Sequence, residues 1–303
     1  MQRFGYSLFA LCMGVLAAAP GCGSNHGCEE YARTLCTRRT ECAPFYSTQY
    51  GANFDACVTN QTRRCELDTK SPDTAWSQDA AMVCARAYAT ASCDDVLSGR
   101  PNDCRAKGKR PVGATCGDGY QCDSSTCVRS SSATLCGTCS TLPKVGESCA
   151  TSGLCDYGLQ CLPSGMCAPL RTLGEACDDD TLCLPTLACM VGTCQKPSLG
   201  ATCNAGGDCN LDFQLQYCSS LSLTCEKFPF SVSKIGESCG SGQDAIVGCT
   251  VDAYCKTMGS AQFGVCTALP GENQPCATDR NFCAAPYACI SGTCQVFDRS
   301  TCK

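Results

Sequence analysis

Cysteine recurs at about every sixth position over long stretches of this chain, as in GESCATSGLCDYGLQC at residues 146–161. The 303 residues include 36 cysteines, whereas aromatic residues make up only 7%. At this cysteine content a disulfide scaffold is the expected architecture of an exported protein. Because little apolar material lies between the cysteines, cross-links have to supply the stability that burial supplies in most proteins.

The first residues indicate export, since Arg3 precedes an apolar run that ends in small residues, the pattern of a signal peptide over residues 1–21. The stretch AAPGC, which ends at Cys22, resembles the bacterial lipobox, whose cysteine becomes the first mature residue and carries a diacylglycerol. The resemblance implies a lipid anchor at Cys22 and a tether over residues 22–27. Because Gly23 rather than Asp follows the cysteine, it also implies the bacterial outer membrane or cell surface. Cleavage without a lipid and a retained membrane helix are the alternatives, although an apolar run of about 16 residues is short for a span.

Residues 28–105 are predicted to form a small α-helical domain, because apolar residues recur at three- and four-residue steps in three segments. Ser71 and Pro72 predict the start of the third helix, since serine caps helices and proline is favoured in their first turn. The apolar face of this helix is predicted to include Trp76 and Val83.

Eight cysteines brace this helical domain, and two pairs of them have a regular spacing. The first two predicted helices each carry two cysteines eight residues apart. If these helices pack antiparallel, their cysteines can form two rungs, Cys28 with Cys65 and Cys36 with Cys57. Many other pairings of eight cysteines are possible, so this connectivity is one hypothesis among several.

The charged residues give little sign of a polyanion partner. Apart from Arg3, the chain has 22 Lys and Arg against 28 Asp and Glu, a mild acidity that argues against nucleic acid. The basic stretch RAKGKRPVG predicts a solvated linker over residues 106–112, which few contacts should cross. Contact of this stretch with membrane headgroups or a polyanion is the alternative interpretation.

The region 113–303 is predicted to consist of six cysteine-rich repeats of roughly 30 residues. Each repeat opens at a glycine, near residues 113, 146, 174, 200, 236 and 271, and five of the six openings have the form Gly-x-x-Cys. Each repeat then carries four main cysteines. They are Cys116, Cys122, Cys127 and Cys136; Cys149, Cys155, Cys161 and Cys167; Cys177, Cys183, Cys189 and Cys194; Cys203, Cys209, Cys218 and Cys225; Cys239, Cys249, Cys255 and Cys266; and Cys276, Cys283, Cys289 and Cys294.

Each repeat is predicted to be a short β-hairpin closed by two disulfides. Motifs such as PSGMC, MVGTC and ISGTC place glycine at the tip of a tight turn between two short strands. Four cysteines allow three connectivities, of which first-to-third with second-to-fourth is preferred. The predicted fold class is therefore small and disulfide-rich: a disulfide-braced helical domain followed by a tandem array of six β-hairpin repeats, with about 17 disulfides in all.

Two cysteines, Cys139 and Cys302, fall outside the pattern of four per repeat. We expect them to pair with each other, which would tie the end of the chain to the first repeat and make the array curl. A bridge between two molecules is the alternative.

The repeat pattern, Gly-x-x-Cys followed by cysteines at about six-residue steps and a final Gly-x-Cys, resembles the dickkopf N-terminal cysteine-rich repeat, which also occurs in bacterial cysteine-rich lipoproteins. The resemblance covers about residues 113–294 and consists mostly of cysteine spacing, for which EGF-like modules are close neighbours. It implies the module type and an extracellular binding role.

No residue pattern predicts catalysis, a metal or a cofactor. The CGTC motif at Cys136 and Cys139 has redox-pair spacing but lacks the strand and helix that such a pair needs. With Cys122 and Cys127 these cysteines have a possible zinc spacing, but structural half-cystines are favoured in an oxidising compartment. The one histidine, His26, lies in the predicted tether. The acidic stretch 178–180 lacks the spacing of a calcium loop and is interpreted as solvated.

These features together predict a non-enzymatic surface lipoprotein of the bacterial envelope that binds or adheres. Its predicted partners are the membrane, through the anchor at Cys22, and an extracellular protein or glycan. An extracellular protease inhibitor is the first alternative, because stapled modules display rigid loops that can fill a protease cleft. An accessory subunit of an envelope enzyme complex is the second.

Overall fold

The computed structural model describes residues 26–51, 53–99, 101, 104–130, 134–151, 153–178, 182–203, 209–242, 245–257, 262–276 and 283–303. The predicted signal peptide, Cys22 and most of the tether lie outside the described residues, as do Asp179 and Asp180 of the acidic stretch. Within these ranges, no helix combines the length and the apolar character needed to cross a bilayer.

The N-terminal region is helical, as predicted, with short polar side chains capping three of its helices. Asn53, Ser77 and Ser92 each accept a hydrogen bond from a backbone N–H in the first turn that follows. The helices are α1 (Gly27–Cys42), α2 (Pro44–Gly51), α3 (Phe54–Thr69), α4 (Gln78–Thr90) and α5 (Cys93–Leu97).

The predicted start of the third long helix is wrong. Its cap is Ser77, which accepts from Ala80 N at 3.1 Å, and the earlier Ser71 and Pro72 lie in a turn. Trp76 therefore precedes the helix, although it is buried as expected. Val83 is 50% exposed, because the helix begins later than predicted and buries a different face. That buried face consists of Ala81, Cys84, Ala85 and Tyr88.

An apolar cluster joins the helical region to the cysteine-rich region. Trp76 stacks on Tyr120 with 4.3 Å between ring centroids and meets the ring of Tyr31 edge-on at 5.5 Å. The indole Nε1 of Trp76 also donates to Cys65 Sγ at 3.2 Å. Because Tyr120 lies beyond the predicted linker, the two regions share one core at this point.

All four disulfides of the helical region are internal to it. Both predicted rungs between α1 and α3 are present, which confirms the hypothesis based on the eight-residue spacing. Two further bonds tie down α5 and the segment that follows it. The four pairs are Cys28–Cys65, Cys36–Cys57, Cys42–Cys93 and Cys84–Cys104.

The cysteine-rich region consists of short strands, most of them paired as antiparallel hairpins. The strands are β1 (Thr115–Cys116), β2 (Cys127–Val128), β3 (Gly137–Cys139), β4 (Leu159–Cys161), β5 (Cys167–Pro169), β6 (Ala188–Met190), β7 (Thr193–Gln195), β8 (Gln216–Cys218), β9 (Cys225–Lys227), β10 (Phe230–Ser233), β11 (Ser238–Ser241), β12 (Ile246–Cys249), β13 (Ala253–Thr257), β14 (Phe263–Ala268), β15 (Tyr287–Ile290) and β16 (Thr293–Val296), with one short helix, α6 (Leu211–Gln214), before β8.

These strands form six separate sheets among the described residues. Four are two-stranded hairpins: β4–β5, β6–β7, β8–β9 and β15–β16. The predicted glycines lie at hairpin turns with positive φ, as at Gly192 (+77°) and Gly292 (+79°), which suits tight two-residue turns. The other sheets have the strand orders β1–β3–β2 and β10–β12–β11–β14–β13, and within the second the β10–β12 pair is parallel.

Five cysteine quartets have the predicted connectivity, first to third and second to fourth. The bonds are Cys149–Cys161 and Cys155–Cys167; Cys177–Cys189 and Cys183–Cys194; Cys203–Cys218 and Cys209–Cys225; Cys239–Cys255 and Cys249–Cys266; and Cys276–Cys289 and Cys283–Cys294. Counted over the described residues, the molecule has 17 disulfides, which include every cysteine in those residues.

The first quartet corrects the prediction for Cys139 and Cys302, which do not pair with each other. Cys139 is the fourth cysteine of its unit, because β3 places it opposite Cys127 in the β2–β3 register. It therefore bonds to Cys122, and Cys136 is the extra cysteine that bonds to Cys302. The end of the chain is thus tied to the first unit, as expected, but through a different cysteine.

The same pair of backbone hydrogen bonds recurs at six places in the cysteine-rich region. In each, the residue three positions before the first cysteine of a quartet, which we call the opening residue, donates its N–H to the carbonyl oxygen of the last cysteine. The N–H of that last cysteine donates in turn to the carbonyl oxygen of the residue that follows the opening residue. Five of the opening residues are glycines with φ between +77° and +91°. The opening residues are Gly113, Gly146, Gly174, Gly200, Gly236 and Asn273.

The sixth unit therefore opens at Asn273 and not at the predicted Gly271. Asn273 has φ +60°, and asparagine tolerates this left-handed conformation better than most residues do. It lies three residues before Cys276, so the spacing of the other five openings is preserved.

The expectation that few contacts cross the linker 106–112 is wrong. The side chain of Arg110 is only 14% exposed and donates to Asp73 Oδ2 at 3.1 Å. It also donates to the carbonyl oxygens of Thr115 at 2.7 Å and Cys302 at 2.6 Å. The linker is therefore fixed against both flanking regions and the C-terminal tail.

The cysteine-rich region contacts the helical region at successive points along its length and then returns to its own start. In chain order the contacts are Tyr120 with Trp76, Asp156 with Arg105, Tyr157 with Asp95, Thr186 with Asp94, Phe230 with Phe45, Val251 with the cluster around Tyr50, and Arg299 with Asp68. The disulfide between Cys136 and Cys302 closes this path covalently.

Candidate functional site

An aliphatic side chain stands on the surface directly before each of the five opening glycines. Each of these side chains is 51–62% exposed, well above what a residue of this type shows in a packed core. We call these residues the turn tips. They are Val112, Val145, Leu173, Leu199 and Ile235.

Each turn tip occupies the second position of a β-turn. In the second unit, Glu147 N donates to Lys144 O at 2.9 Å, with Val145 and Gly146 as the central residues. Gly146 has φ +77°, the conformation that the third position of a type II turn requires. The side chain at the second position of such a turn points away from the hydrogen-bonded ring, so the aliphatic group faces solvent. In the sixth unit Glu272 takes this place.

In three of these turns, the glutamate at the fourth position accepts a hydrogen bond from the backbone N–H of the first residue. Glu147 Oε2 accepts from Lys144 N at 2.8 Å, and Glu237 Oε2 accepts from Lys234 N at 2.7 Å. Glu175 accepts from both the N–H and the hydroxyl of Thr172, and these bonds lower the pKa of the Glu175 carboxyl. Since a disulfide cysteine follows each opening glycine by three residues, the tips are presented on turns that are held at both ends.

The C-terminal tail is clamped between the helical region and the first unit. The guanidinium of Arg299, 14% exposed, lies 2.5 Å from Asp68 Oδ1 and 3.7 Å from Asp118 Oδ2. It also donates to Ser71 Oγ at 2.8 Å. We call Arg299, Asp68, Asp118 and Ser71 the tail clamp, because it joins three parts of the chain beside the Cys136–Cys302 bond.

Burial makes the tail clamp sensitive to pH. Burial and, to a smaller extent, the neighbouring carboxylate of Asp118 together raise the pKa of the Asp68 carboxyl to about 6, against the opposing effects of Arg299 and Arg64. A carboxyl whose pKa is higher in the folded state than in the unfolded state favours folding below its folded pKa. This contribution is lost as the pH rises through about 6.

We therefore expect the wild-type protein to be more stable at pH 5 than at pH 7 by about 1 kcal/mol, and to unfold at a correspondingly higher temperature. Asp68→Asn should remove most of this difference, because the amide does not titrate. Calorimetry at the two pH values measures it, with Glu66→Gln on the same helix as the matched control. Carboxyls with a lowered pKa, such as Asp156 and Asp298, contribute to stability at both pH 5 and pH 7 and lose this contribution only at lower pH. They therefore do not add to the stability difference between pH 5 and pH 7. An equal pH difference in wild type and Asp68→Asn would contradict the assignment.

A polar cavity of about 170 Å³ lies beside the tail clamp, between the helices and the first unit. Helix α1 contributes Tyr31, Leu35 and Arg39, and α3 contributes Gln61, Arg64, Cys65 and Asp68; the remaining lining residues are Tyr88, Gly99 and Tyr120. Aromatic rings and charged groups thus line one partly open space.

Comparison with family models, curated proteins and solved structures found no match. The resemblance to dickkopf-type repeats therefore stays a prediction that rests on cysteine spacing, and the functional argument depends on the geometry of the turn tips, the tail clamp and the cavity.

The cysteines with a possible redox or zinc spacing are all held in disulfides. Cys136 and Cys139 bond to Cys302 and Cys122, not to each other, in agreement with their interpretation as half-cystines. Sulfur atoms gather in groups of three within 4.8 Å at several places, including Cys116, Cys122 and Cys139, but these atoms belong to adjacent disulfides. A sulfur in a disulfide is not the thiolate that zinc binds.

The one histidine is far from these features in the chain. His26 is exposed, precedes α1 and lies 3.8 Å from Glu29. Asp178 is the one residue of the acidic stretch 178–180 that the structure describes, and the calcium interpretation lies largely outside the described residues.

Sequence reasoning missed the turn tips, although the signal for them was present. Aligned on the opening glycine, the chain has PVGATC, KVGESC, TLGEAC, SLGATC and KIGESC, with an aliphatic residue before the glycine each time. The tail clamp and the cavity have no such signal, because their residues come from distant parts of the chain.

Proposed function

We propose that this protein is a non-catalytic binding or adhesion protein of the bacterial surface, in which six copies of one stapled repeat form a closed array on a helical domain. The observation that carries the proposal is the recurrence of an exposed aliphatic turn tip in five units. Single exposed apolar residues are common on protein surfaces, so the argument rests on the recurrence of the same aliphatic position and not on its exposure alone.

Multiple weak contacts suit such a surface. One aliphatic tip removes little apolar area from water when it is covered, so a single unit would bind weakly. When several tips belong to one covalently closed scaffold, binding of the first tip holds the others close to the partner. This high effective concentration makes the overall affinity much greater than that of a single tip. Because the disulfides order the turns beforehand, little conformational entropy is lost on binding.

The chemistry of the tips favours a protein partner over a glycan. Val, Leu and Ile offer apolar area and no hydrogen-bonding groups, which complements an apolar patch or groove on another protein. Six recurrent hydrogen-bond pairs support the assignment of six repeats over residues 113–303, and the bond between Cys136 and Cys302 supports a closed array.

The proposed location depends on Cys22, which would carry the lipid after removal of residues 1–21. Two or more acyl chains at the end of a tether of six residues, 22–27, would hold the helical domain close to the bilayer. Mass spectrometry of the mature protein should show a diacylglycerol on an N-terminal Cys22, and Cys22→Ser should release the chain from membranes.

Replacement of all five turn tips by serine is expected to abolish partner binding without loss of fold. The matched control replaces five other aliphatic residues of similar or greater exposure, Val83, Leu154, Leu182, Val191 and Leu221. Immobilised wild-type and variant chains are incubated with biotinylated outer-membrane proteins of the producing bacterium and, in a parallel arm, with its surface polysaccharide. Wild type and control should retain a discrete protein at least tenfold better than the turn-tip variant, which is about 1.4 kcal/mol or more of binding energy.

Equal retention by the turn-tip variant and the control variant would contradict the proposal. If the chain retains the polysaccharide and no protein, the ligand is a glycan and the proposed role of the turn tips is wrong. If the retained protein is a protease whose activity the chain blocks, the alternative of an inhibitor replaces adhesion.

A further inference from the structure

The polar cavity next to the tail clamp has the shape and chemistry of a small-molecule site. Its volume of about 170 Å³ is close to that of an engineered protein cavity of roughly 150 Å³ that holds one benzene molecule. Three tyrosines, Tyr31, Tyr88 and Tyr120, contribute to its walls. The space therefore fits one six-membered ring, with aromatic side chains around it.

Hydrogen-bond donors are available at one side of this cavity. Gln61 and Arg64 lie one helical turn apart on α3, and neither side chain has a hydrogen-bond partner among the residues that the structure describes. A third donor group, the guanidinium of Arg39, comes from α1; it lies 5.5 Å from the ring centroid of Tyr46 and also interacts with the Tyr50 hydroxyl, so only part of its donor capacity is left for a ligand. Two guanidinium groups and an amide in one lining are the groups that recognise a carboxylate.

The acidic residue of the lining does not oppose an anion. Asp68 is the one carboxylate in the cavity wall, and the tail residue Arg299 pairs with it at 2.5 Å. Its charge is compensated by Arg299 from the tail and by Arg64 from the lining itself, and the lining as a whole has two guanidinium groups, Arg39 and Arg64, against this one carboxylate.

We propose that this cavity binds a small carboxylate built on a single six-membered ring, with Arg64, Gln61 and Arg39 as donors to the carboxylate and the tyrosine rings against the body of the ligand. Aromatic acids and sugar acids share this chemistry, and the test separates them. This site is independent of the turn tips, so it stands or falls apart from the proposed adhesion function.

Trp76 gives a direct readout of occupancy. It is the one tryptophan of the chain, and its indole stacks on Tyr120, which lines the cavity. The full oxidised protein is titrated with benzoate and, separately, with glucuronate, while Trp76 fluorescence and the heat of binding are recorded. Benzamide and glucose serve as uncharged partners of the two acids.

We expect one of the two acids to bind saturably with a change in Trp76 emission, and its uncharged partner to bind at least tenfold more weakly. Arg64→Gln should weaken binding of that acid by tenfold or more, since it removes a charge-assisted hydrogen bond. The matched control is Arg63→Gln, which changes an exposed neighbour on α3 outside the cavity lining and should alter affinity less than twofold. Thermal unfolding of both variants checks that each is folded.

Three results would overturn the assignment. The first is no saturable binding of either acid up to about 10 mM, since a dissociation constant above this value would be weaker than that of any specific site of this kind. The second is equal affinity for the acids and their uncharged partners. The third is an equal loss of affinity in Arg63→Gln and Arg64→Gln.

Discussion

Replacement of Cys136 and Cys302 together by serine is expected to lower the free energy of unfolding by about 4 kcal/mol and to release the C-terminal tail. Their bond closes a loop of 166 residues, and the chain entropy that a cross-link removes from the unfolded state grows with the logarithm of loop length. A bare loop of this length corresponds to roughly 5 kcal/mol, and the disulfides inside it shorten the effective loop.

The tail should detach because its other contacts depend on the closing bond. The ion pairs of Arg299 are partly buried, so much of their electrostatic gain is offset by the loss of hydration. Without the covalent link, the tail also gains the entropy of a free chain end. Arg299 and Arg110 would then lose Asp68 and the carbonyl of Cys302 as partners, respectively.

Urea unfolding, followed by Trp76 fluorescence, measures the change in stability. Hydrogen exchange at Thr301 N and Lys303 N measures release of the tail, because both amides donate hydrogen bonds within the folded tail and these bonds should be lost when it detaches. The matched control is Cys283→Ser with Cys294→Ser, which removes a bond that closes a loop of 11 residues in the sixth unit. This control should unfold its own hairpin and leave Trp76 unaffected. A tail that stays protected in the first variant, with unchanged stability, would contradict the covalent role of Cys302.

Local patterns in the sequence predicted the elements whose partners are close in the chain. The hairpins follow from the spacing of cysteine and glycine. The interleaved bonds of five quartets, which join cysteines only 11 to 17 residues apart, are the preferred one of three connectivities that this spacing allows. The rungs Cys28–Cys65 and Cys36–Cys57 follow from helical periodicity, since positions eight residues apart lie on one face of a helix.

In the first unit, the strand register determines which cysteine is the fourth of the quartet, a choice that the cysteine spacing left open. Cys136 and Cys139 are three residues apart, and either could serve as the fourth cysteine of that unit. Because β3 places Cys139 opposite Cys127, Cys136 is left to reach the C-terminal tail. A shift in register of one residue turns side chains to the opposite face of a strand, and cysteine spacing alone does not fix such a choice.

Tertiary contacts over long sequence separations carried no signal that could have been found in advance. Arg299 and Ser71 are 228 residues apart, and no sequence pattern links them. The linker prediction was wrong for the same reason. Basic composition suggested a solvated segment, whereas Arg110 finds a carboxylate and two carbonyls from three other parts of the chain.

Complete reduction of the disulfides is expected to have the largest effect of all, namely unfolding of the whole cysteine-rich region without denaturant. Each unit of about 30 residues has two cross-links that together remove roughly 6 kcal/mol of unfolded-state entropy, and it has only a small apolar cluster to replace them. In the third and fourth units, for example, that cluster is largely Ala188, Met190 and cysteines. The helical region, with Trp76, Tyr88 and Val96 in its core, should keep more of its structure.

The most direct measurement is amide hydrogen exchange with mass spectrometry on the native chain before and after full reduction and alkylation in the same buffer. The informative amides are those of the fourth cysteines, such as Cys167 and Cys194, which donate to Glu147 O and Glu175 O in the oxidised protein. If disulfides take the place of an apolar core, these amides exchange at the rate of an unstructured chain once the bonds are reduced. Protection that survives reduction across the hairpins would contradict this account.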